Sequence, residues 1–342
     1  MTDSRQVSVC VVGAGSMGVL TGYDLSEAGV AVTFLVRPHR QEQLSRPQFL
    51  YSYDSHSLKT YSRYDVIIDP AALSGTSFDF VVVTLDGASL SADAGRTLTR
   101  EIGRAFRGTS TGVILGSIGL DIRSWFLEQS GLAETQVTQG TTGSLIYEVP
   151  RAKIPWHPGV KADLLAKADY GYQPLSPAAF VVDDSAPQVA ADFAALFGVN
   201  GAGKCATLTQ EEFGLQFAAF PVIAAWELLD WPSLADLDHT NPTWQLGVEA
   251  MGEIQRLSIF GPSGPGASRQ TTPENVLALF QQMETGVLPL DFAAFNAYHH
   301  GGKVNNQDHA FLRDALNRGE LEGAQMPALR ALVARLPPAQ KP

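Results

Sequence analysis

Apolar positions in the first third of the chain fall into short runs separated by amphipathic stretches. Val7 to Val12 is a β-branched run that stops at Gly13, the pattern of a strand buried on both faces. Ser16 to Ala28 then places Met17, Leu20, Leu25 and Ala28 on one side of a helix, and Gly29 supplies a C-terminal stop. Val30 to Val36 is a second buried strand. Strand, helix and strand within residues 7–36 make a βαβ unit, which requires a parallel sheet and a right-handed crossover. Phe80 to Leu85 and Thr111 to Leu115 are further strands, with a helix over Ala92 to Phe106 between them. Gln43 to Asp69 is mixed and polar, with short strands expected at Leu58 to Tyr61 and Tyr64 to Ile68. Thr135 to Tyr147 and Ala178 to Val182 read as strands whose order the pattern leaves open. Ala186 to Phe197 reads as a helix with Pro187 in its first turn. Gly198 to Gly203 reads as a turn-rich link.

Beyond about residue 205 strand signals vanish. Gln210 to Leu229 carries Phe213, Phe217, Phe220, Ile223 and Trp226 at helical spacing. Glu274 to Met283, Asp291 to Tyr298, His309 to Asn317 and Met326 to Leu336 are further helices, and Ser258 to Thr272, rich in Gly, Ser and Pro, is expected to be a loop. The fold class is therefore α/β. An N-terminal Rossmann domain with a doubly wound parallel sheet is expected over 1–202, and an all-helical domain over 203–342.

Composition narrows the function. The 342 residues are 45% hydrophobic and 17% charged, enough for sizeable cores. A formal net charge of -11 argues against a general nucleic-acid or anionic-membrane surface. Cys10 and Cys205 form neither a disulfide framework nor a zinc spacing, so no metal site is expected. A polar start, Met1 to Gln6, and apolar runs too short for a membrane lead us to expect a cytoplasmic protein without a membrane partner.

Candidate chemistry begins where the first strand ends. Gly13-Ala14-Gly15-Ser16-Met17-Gly18 is G-x-G-x-x-G between a buried strand and a helix. Gly13 permits the tight turn, Gly15 lets backbone approach a pyrophosphate, and Gly18 lets helix pack on strand. The helix N-terminus offers partial positive charge to phosphates. The alternative is a glycine turn with no ligand. An NAD site usually has an acid at the end of the second strand, bonded to the ribose 2′-hydroxyl. This chain has Arg37 there, followed by Arg40. A guanidinium grips a 2′-phosphate bidentately, so the cofactor read here is NADP(H), against the alternative of a solvated arginine.

These residues resemble the ketopantoate reductase family. The resemblance rests on Gly13 to Gly18, Ala28-Gly29-Val30, Leu35-Val36-Arg37, Val82-Val83-Thr84-Leu85 and Gln139-Gly140-Thr141-Thr142-Gly143. It implies an NADPH-dependent reductase of a 2-keto acid working in a cleft between domains. It also implies a helical half like the 6-phosphogluconate dehydrogenase C-terminal domain, a homodimer, and a cofactor lying along Leu85 and Ser117. The family's catalytic positions are altered, however. Glu212 falls where the family has lysine and Gln216 where it has asparagine, with Phe220-Pro221 in place of Asn-Pro. Ser117-Ile118-Gly119 stands for Asn-Gly, Asp86 for a lysine, and the family's substrate glutamate aligns near Pro289. Ketopantoate is thus not the expected substrate.

Reducing a carbonyl creates an alkoxide that needs a proton donor. Glu212 can donate a proton only if burial keeps it protonated; as a carboxylate it could instead attract an amine or imine or act as a base in oxidation, and the competing reading is an ordinary acid favoured at a helix N-terminus. His299-His300-Gly301-Gly302-Lys303 is the other candidate, with His300 or Lys303 as donor. Its competitor is a plain helix end with C-terminal glycines. Gln216, Asn296 and His299 are candidate substrate contacts, and Asn305 adds a neutral donor. The leading expectation is an NADPH-dependent oxidoreductase of a small 2-keto acid-like carbonyl or imine. Oxidation or redox-neutral chemistry at the same site, or an NADP(H) sensor without catalysis, stand as alternatives.

Overall fold

The computed structural model describes residues 5–198 and 203–337, so the middle of the link over Gly198 to Gly203 and the first residues of the chain lie outside the described residues. The chain forms two compact units, 1–151 with 160–208, and 152–159 with 209–342.

In the first unit the strands are β1 (Ser8–Val12), β2 (Ala31–Leu35), β3 (Gln48–Ser52), β4 (Ser57–Tyr61), β5 (Asp65–Ile67), β6 (Phe80–Val83), β7 (Gly112–Leu115), β8 (Val137–Thr142), β9 (Ser144–Glu148), β10 (Tyr170–Pro174), β11 (Phe180–Asp183) and β12 (Cys205–Leu208). Eight of them form one sheet in the order β12-β11-β8-β7-β6-β1-β2-β5. From β5 to β8 every pairing is parallel, with Val9 beside Val32 and Val11 beside Val82. β11 joins antiparallel to β8.

Alternate residues of the central strands feed two cores. Val9, Val11, Phe34, Val82 and Ile114 face one side; Cys10, Val12, Val81, Val83, Val113 and Leu115 face the other. Both faces are covered, which is why these strands read as unbroken apolar runs rather than alternating ones. Full burial of each such valine stabilises by about 1.5–3 kcal/mol. Cys10 is part of this packing, and burial pushes its thiol up to about 12, so it is inert as a nucleophile.

The strand expected over Thr135 to Tyr147 is instead two, β8 in the large sheet and β9 in a second sheet of order β4-β3-β10-β9. The break falls at Gly143, where an added Cβ would stand 1.8 Å from the Ala178 carbonyl oxygen. Only glycine lets the two backbones pass there. Two members of the second sheet, β3 and β10, lie in stretches without a clear apolar pattern. In β3, buried Gln48 is satisfied by the Gln43 and Arg46 carbonyls, so a polar residue occupies a core position.

The domain boundary also shifts. β12 pairs in parallel with β11, Cys205 opposite Phe180, so the sheet unit runs to Leu208 rather than ending at 202. Ala152–Gly159 belongs to the helical unit, where His157 Nε2 lies 2.8 Å from Asp291 Oδ2.

The second unit is helical throughout the described residues. The helix expected over Gln210 to Leu229 is two, Gln210–Phe217 and Phe220–Leu228, because Pro221 can neither donate to nor clear the preceding turn. Helix Pro242–Gln255 went unrecognised in the pattern since it is buried on most sides, with Trp244, Val248, Ala250 and Ile254 at its core. Its buried Glu253 accepts from the N–H groups of Ala328 and Leu329, capping helix Pro327–Val333. The expected loop over Ser258 to Thr272 contains helix Ser263–Gln270, which packs so closely that a Cβ at Gly264 would meet the Gln255 carbonyl at 2.0 Å. No helix of the described residues is long and apolar enough to cross a membrane.

Candidate functional site

The glycine turn joins β1 to helix Ser16–Glu27. Gly13 has φ +101°, a left-handed conformation that favours glycine, and its N–H bonds the Leu35 carbonyl at 2.9 Å. A Cβ on Gly18 would sit 2.3 Å from the Gly13 carbonyl oxygen, so helix and turn are in direct backbone contact. A Cβ on Gly15 would meet nothing within 4 Å. The helix carries no side-chain cap and no acid in its first turn. An open approach at Gly15 beside an uncapped helix start suits an anion, and the two-phosphate bridge of a dinucleotide fits these residues.

The walls of the turn come from neighbouring strand ends. Thr84 Oγ1 donates to the Val12 or Gly13 carbonyls, at 3.0 and 3.2 Å. The Leu85 side chain lies against Gly13. Buried Ser117 donates to the Leu85 carbonyl at 2.7 Å, tying the ends of β6 and β7 together. Met17 reaches over Gly116. Gly13 to Gly18, Leu85 and Ser117 therefore gather at one edge of the sheet, the carboxyl ends of its parallel strands. Asp86, where the resemblance has lysine, caps helix Gly87–Ser91 by accepting from the Ser89 N–H at 2.8 Å.

Arg37 follows β2 and is exposed, with no hydrogen bond to its guanidinium among the described residues. Arg40 turns back instead: its Nη2 donates to the Ala14 carbonyl at 2.7 Å and lies 3.4 Å from the Tyr170 hydroxyl. Arg40 thus braces the glycine turn and brings positive charge to it. Sequence reasoning gave it only a supporting part, since nothing local predicts that reach.

In the helical unit, helix Phe292–Tyr298 runs into a π-helical turn over His299–Lys303, followed by helix Asn305–Leu321. Such turns often mark functional positions. A Cβ on Gly301 would touch the Trp231 indole at 3.1 Å, and Asp230 and Trp231 both hold positive φ, at 63° and 54°. Two adjacent non-glycine residues in that region are strained and are held by packing. His300 Nδ1 is 2.6 Å from Asp308 Oδ2, while its ring meets Phe220 edge-on at 6.1 Å. His309 Nε2 is 2.9 Å from Glu227 Oε2. Asn305 Nδ2 donates both to Glu227 Oε1 at 2.8 Å and to the His300 carbonyl at 3.0 Å. His299 stacks on Phe295 at 5.4 Å, and its Nδ1 is buried without a partner. Burial, with the charges of His300 and Lys303, holds His299 well below the usual imidazole range, so it is neutral at pH 7.

Residues 9–103 match the family model described as Ketopantoate reductase PanE/ApbA. No curated protein matches the chain in sequence. The structure resembles 2-dehydropantoate 2-reductase from Geobacter metallireducens GS-15, with TM-score 0.66 and 18% identity over 96% of this chain and 98% of that one. It also resembles a D-mandelate dehydrogenase solved with NADH and anilino(oxo)acetate, with TM-score 0.61 and 13% identity over 96% of each chain. A dimeric ketopantoate reductase from Staphylococcus aureus follows at TM-score 0.56 and 12% identity, over 96% of this chain and 98% of that one. The chain as a whole has the ketopantoate reductase fold, a Rossmann-like domain followed by a helical one.

Within that fold the sequence candidates separate. Glu212 is the third residue of a capping box: Thr209 N–H donates to its Oε2 at 2.9 Å, and Glu212 N–H to Thr209 Oγ1 at 3.2 Å. These bonds to Thr209 lower its pKa, and the side chain is exposed. That environment stabilises the carboxylate, so burial does not keep Glu212 protonated, and its local geometry is that of an ordinary helix-start acid. Gln216 is exposed one turn later, and no hydrogen bond joins it to the histidine turn among the described residues. Asn296 is buried and donates to the Phe292 carbonyl of its own helix at 2.7 Å, so this amide hydrogen is unavailable to a substrate. His299, His300 and Lys303 share the π-turn. Glu227, Asp308 and His309 were missed in the sequence. The only signal for two of them was spacing: Asn305, Asp308 and His309 stand at i, i+3 and i+4, one face of a helix that begins four residues earlier than expected.

Proposed function

We propose that the protein is an NADP(H)-dependent oxidoreductase that reduces a small 2-keto acid-like carbonyl or imine other than ketopantoate. The observation that carries this reading is the glycine turn with Arg37, and no acid, following β2. Gly13 to Gly18 would hold the pyrophosphate, Leu85 and Ser117 would border the cofactor, and Arg37, helped by Arg40, would grip the adenosine 2′-phosphate. When bound, the nicotinamide supplies or accepts a hydride equivalent. His300 gives the proton that a reduced carbonyl oxygen requires, the task that the family's lysine would perform. Exposed Lys303 offers charge to a carboxylate or keto group, and neutral His299 can contribute only a hydrogen bond. The loss of lysine and asparagine at positions 212 and 216 argues for a substrate other than ketopantoate.

The same imidazole takes a proton from a hydroxyl when the reaction runs as an oxidation. The D-mandelate dehydrogenase neighbour makes that direction a specific second reading. Replacing Arg37 tests the cofactor. Arg37→Ala should weaken NADPH binding by about 1.5–3 kcal/mol, roughly ten- to a hundredfold, and leave NADH nearly unaffected. Calorimetry showing equal losses for both dinucleotides would refute the NADP assignment. By analogy with the dimeric Staphylococcus aureus relative, two copies are expected to pair. Light scattering that finds only monomer at micromolar concentration would remove that part.

A further inference from the structure

Outside the glycine turn, a group of titratable side chains lies on three segments of the helical unit: the end of helix Phe220–Leu228, the π-turn, and the start of helix Asn305–Leu321. It contains two carboxylate–imidazole pairs, Asp308 with His300 and Glu227 with His309. A carboxylate only accepts, so His300 Nδ1 and His309 Nε2 must carry the hydrogens. Asn305 links the pairs. One amide nitrogen supplies both hydrogen bonds, to Glu227 and to the His300 carbonyl, and so fixes the backbone of the turn to the second pair.

The two pairs differ in exposure. The His309 side chain is 5% exposed, which makes it part of the packing. The His300 side chain keeps 17% exposure while its partner Asp308 keeps 7%. Asp308 Oδ1 is further held by Gln307 Nε2 at 3.3 Å. His300 Nε2 makes no hydrogen bond among the described residues, on a side chain that is partly exposed. A buried, fixed carboxylate behind an imidazole whose other nitrogen is unengaged and reachable is an orienting arrangement. The His309 ring, in the other pair, is buried instead.

Building on the oxidoreductase reading, we propose that Asp308 is the positioning residue for His300, and that Asn305, Glu227 and His309 brace the turn that presents it. Asp308 holds the proton on Nδ1, so Nε2 is the nitrogen that exchanges a proton with the substrate. In reduction the Nε2–H bond breaks and an O–H bond forms, leaving a neutral ring still donating through Nδ1. Oxidation reverses both changes. The His299 ring lies edge-on to the His300 ring at 4.7 Å, and the charge of Lys303 acts on His299.

The test combines nuclear magnetic resonance with kinetics. Long-range proton–nitrogen correlation at alkaline pH should show neutral His300 protonated at Nδ1 in the unaltered protein. Asp308→Ala should move that proton to Nε2, and Asp308→Glu should restore it in part. With a substrate in hand, Asp308→Asn should lower kcat about a hundredfold with KM changed less than about threefold, a smaller loss than for a buried triad carboxylate. A neutral His300 protonated at Nε2 in the unaltered protein, or a tautomer unmoved by Asp308→Ala, overturns the proposal. So does a full kcat in Asp308→Asn. The resonance measurement needs no substrate, so it decides the role of Asp308 even if the cofactor or reaction reading fails in the Arg37 experiment.

Discussion

Gly18→Ala should abolish dinucleotide binding, by more than about a hundredfold or 2.7 kcal/mol, and lower stability by about 1–3 kcal/mol. The reason is geometric. The new methyl would stand 2.3 Å from the Gly13 carbonyl oxygen and 2.8 Å from Thr84 Oγ1. The first of these is backbone, and it belongs to the residue whose φ of +101° makes the turn. Helix and strand must separate, taking the helix start away from the phosphates. Gly15→Ala is the matched control for stability, because its methyl would meet no atom of the protein within 4 Å. That variant should melt close to the unaltered protein yet lose NADPH, since the methyl enters the space expected for pyrophosphate. Thermal melts and calorimetry on both variants separate the two effects. If Gly15→Ala binds NADPH normally, the turn does not hold a dinucleotide.

His300→Ala should lower kcat by about 10²- to 10⁴-fold, the usual contribution of a positioned general acid or base. Cofactor affinity should be unchanged, because every residue assigned to the dinucleotide lies in the other unit. Stability should fall modestly, since Asp308 keeps Gln307 as a partner but loses its imidazole. Steady-state kinetics beside NADPH calorimetry distinguish a chemical loss from a binding one. Full turnover in His300→Ala would transfer the proton donor elsewhere, with Lys303 the next residue to replace.

The first site was legible because its requirements are local. G-x-G-x-x-G, the strand before it, the helix after it and Arg37 all lie within residues 7–40, and each residue's part follows from backbone sterics or helix-end charge. The second was only half legible. His299, His300 and Lys303 stand out as a string, but His300 is held by Asp308 and Asn305, and the bracing pair of His309 with Glu227 joins segments about eighty residues apart. A partner as distant in sequence as Glu227 leaves no periodic mark. Glu212 shows the converse: the family resemblance pointed to catalysis, whereas four residues of local context, Thr209 to Glu212, already contained a capping box.

Taken alone, the amino-acid order determined the parallel βαβ start, the helical second half and the likeness of residues 9–103 to a reductase domain, since apolar period and glycine placement act over a few residues. Tertiary structure decided the rest. It split one expected strand between two sheets at Gly143, carried the sheet on to Leu208, and turned a Gly- and Ser-rich stretch into a packed helix. It also paired His300 with Asp308 and His309 with Glu227. Those outcomes depend on close backbone approach and on buried polar groups finding partners, and both are set by which distant segments meet.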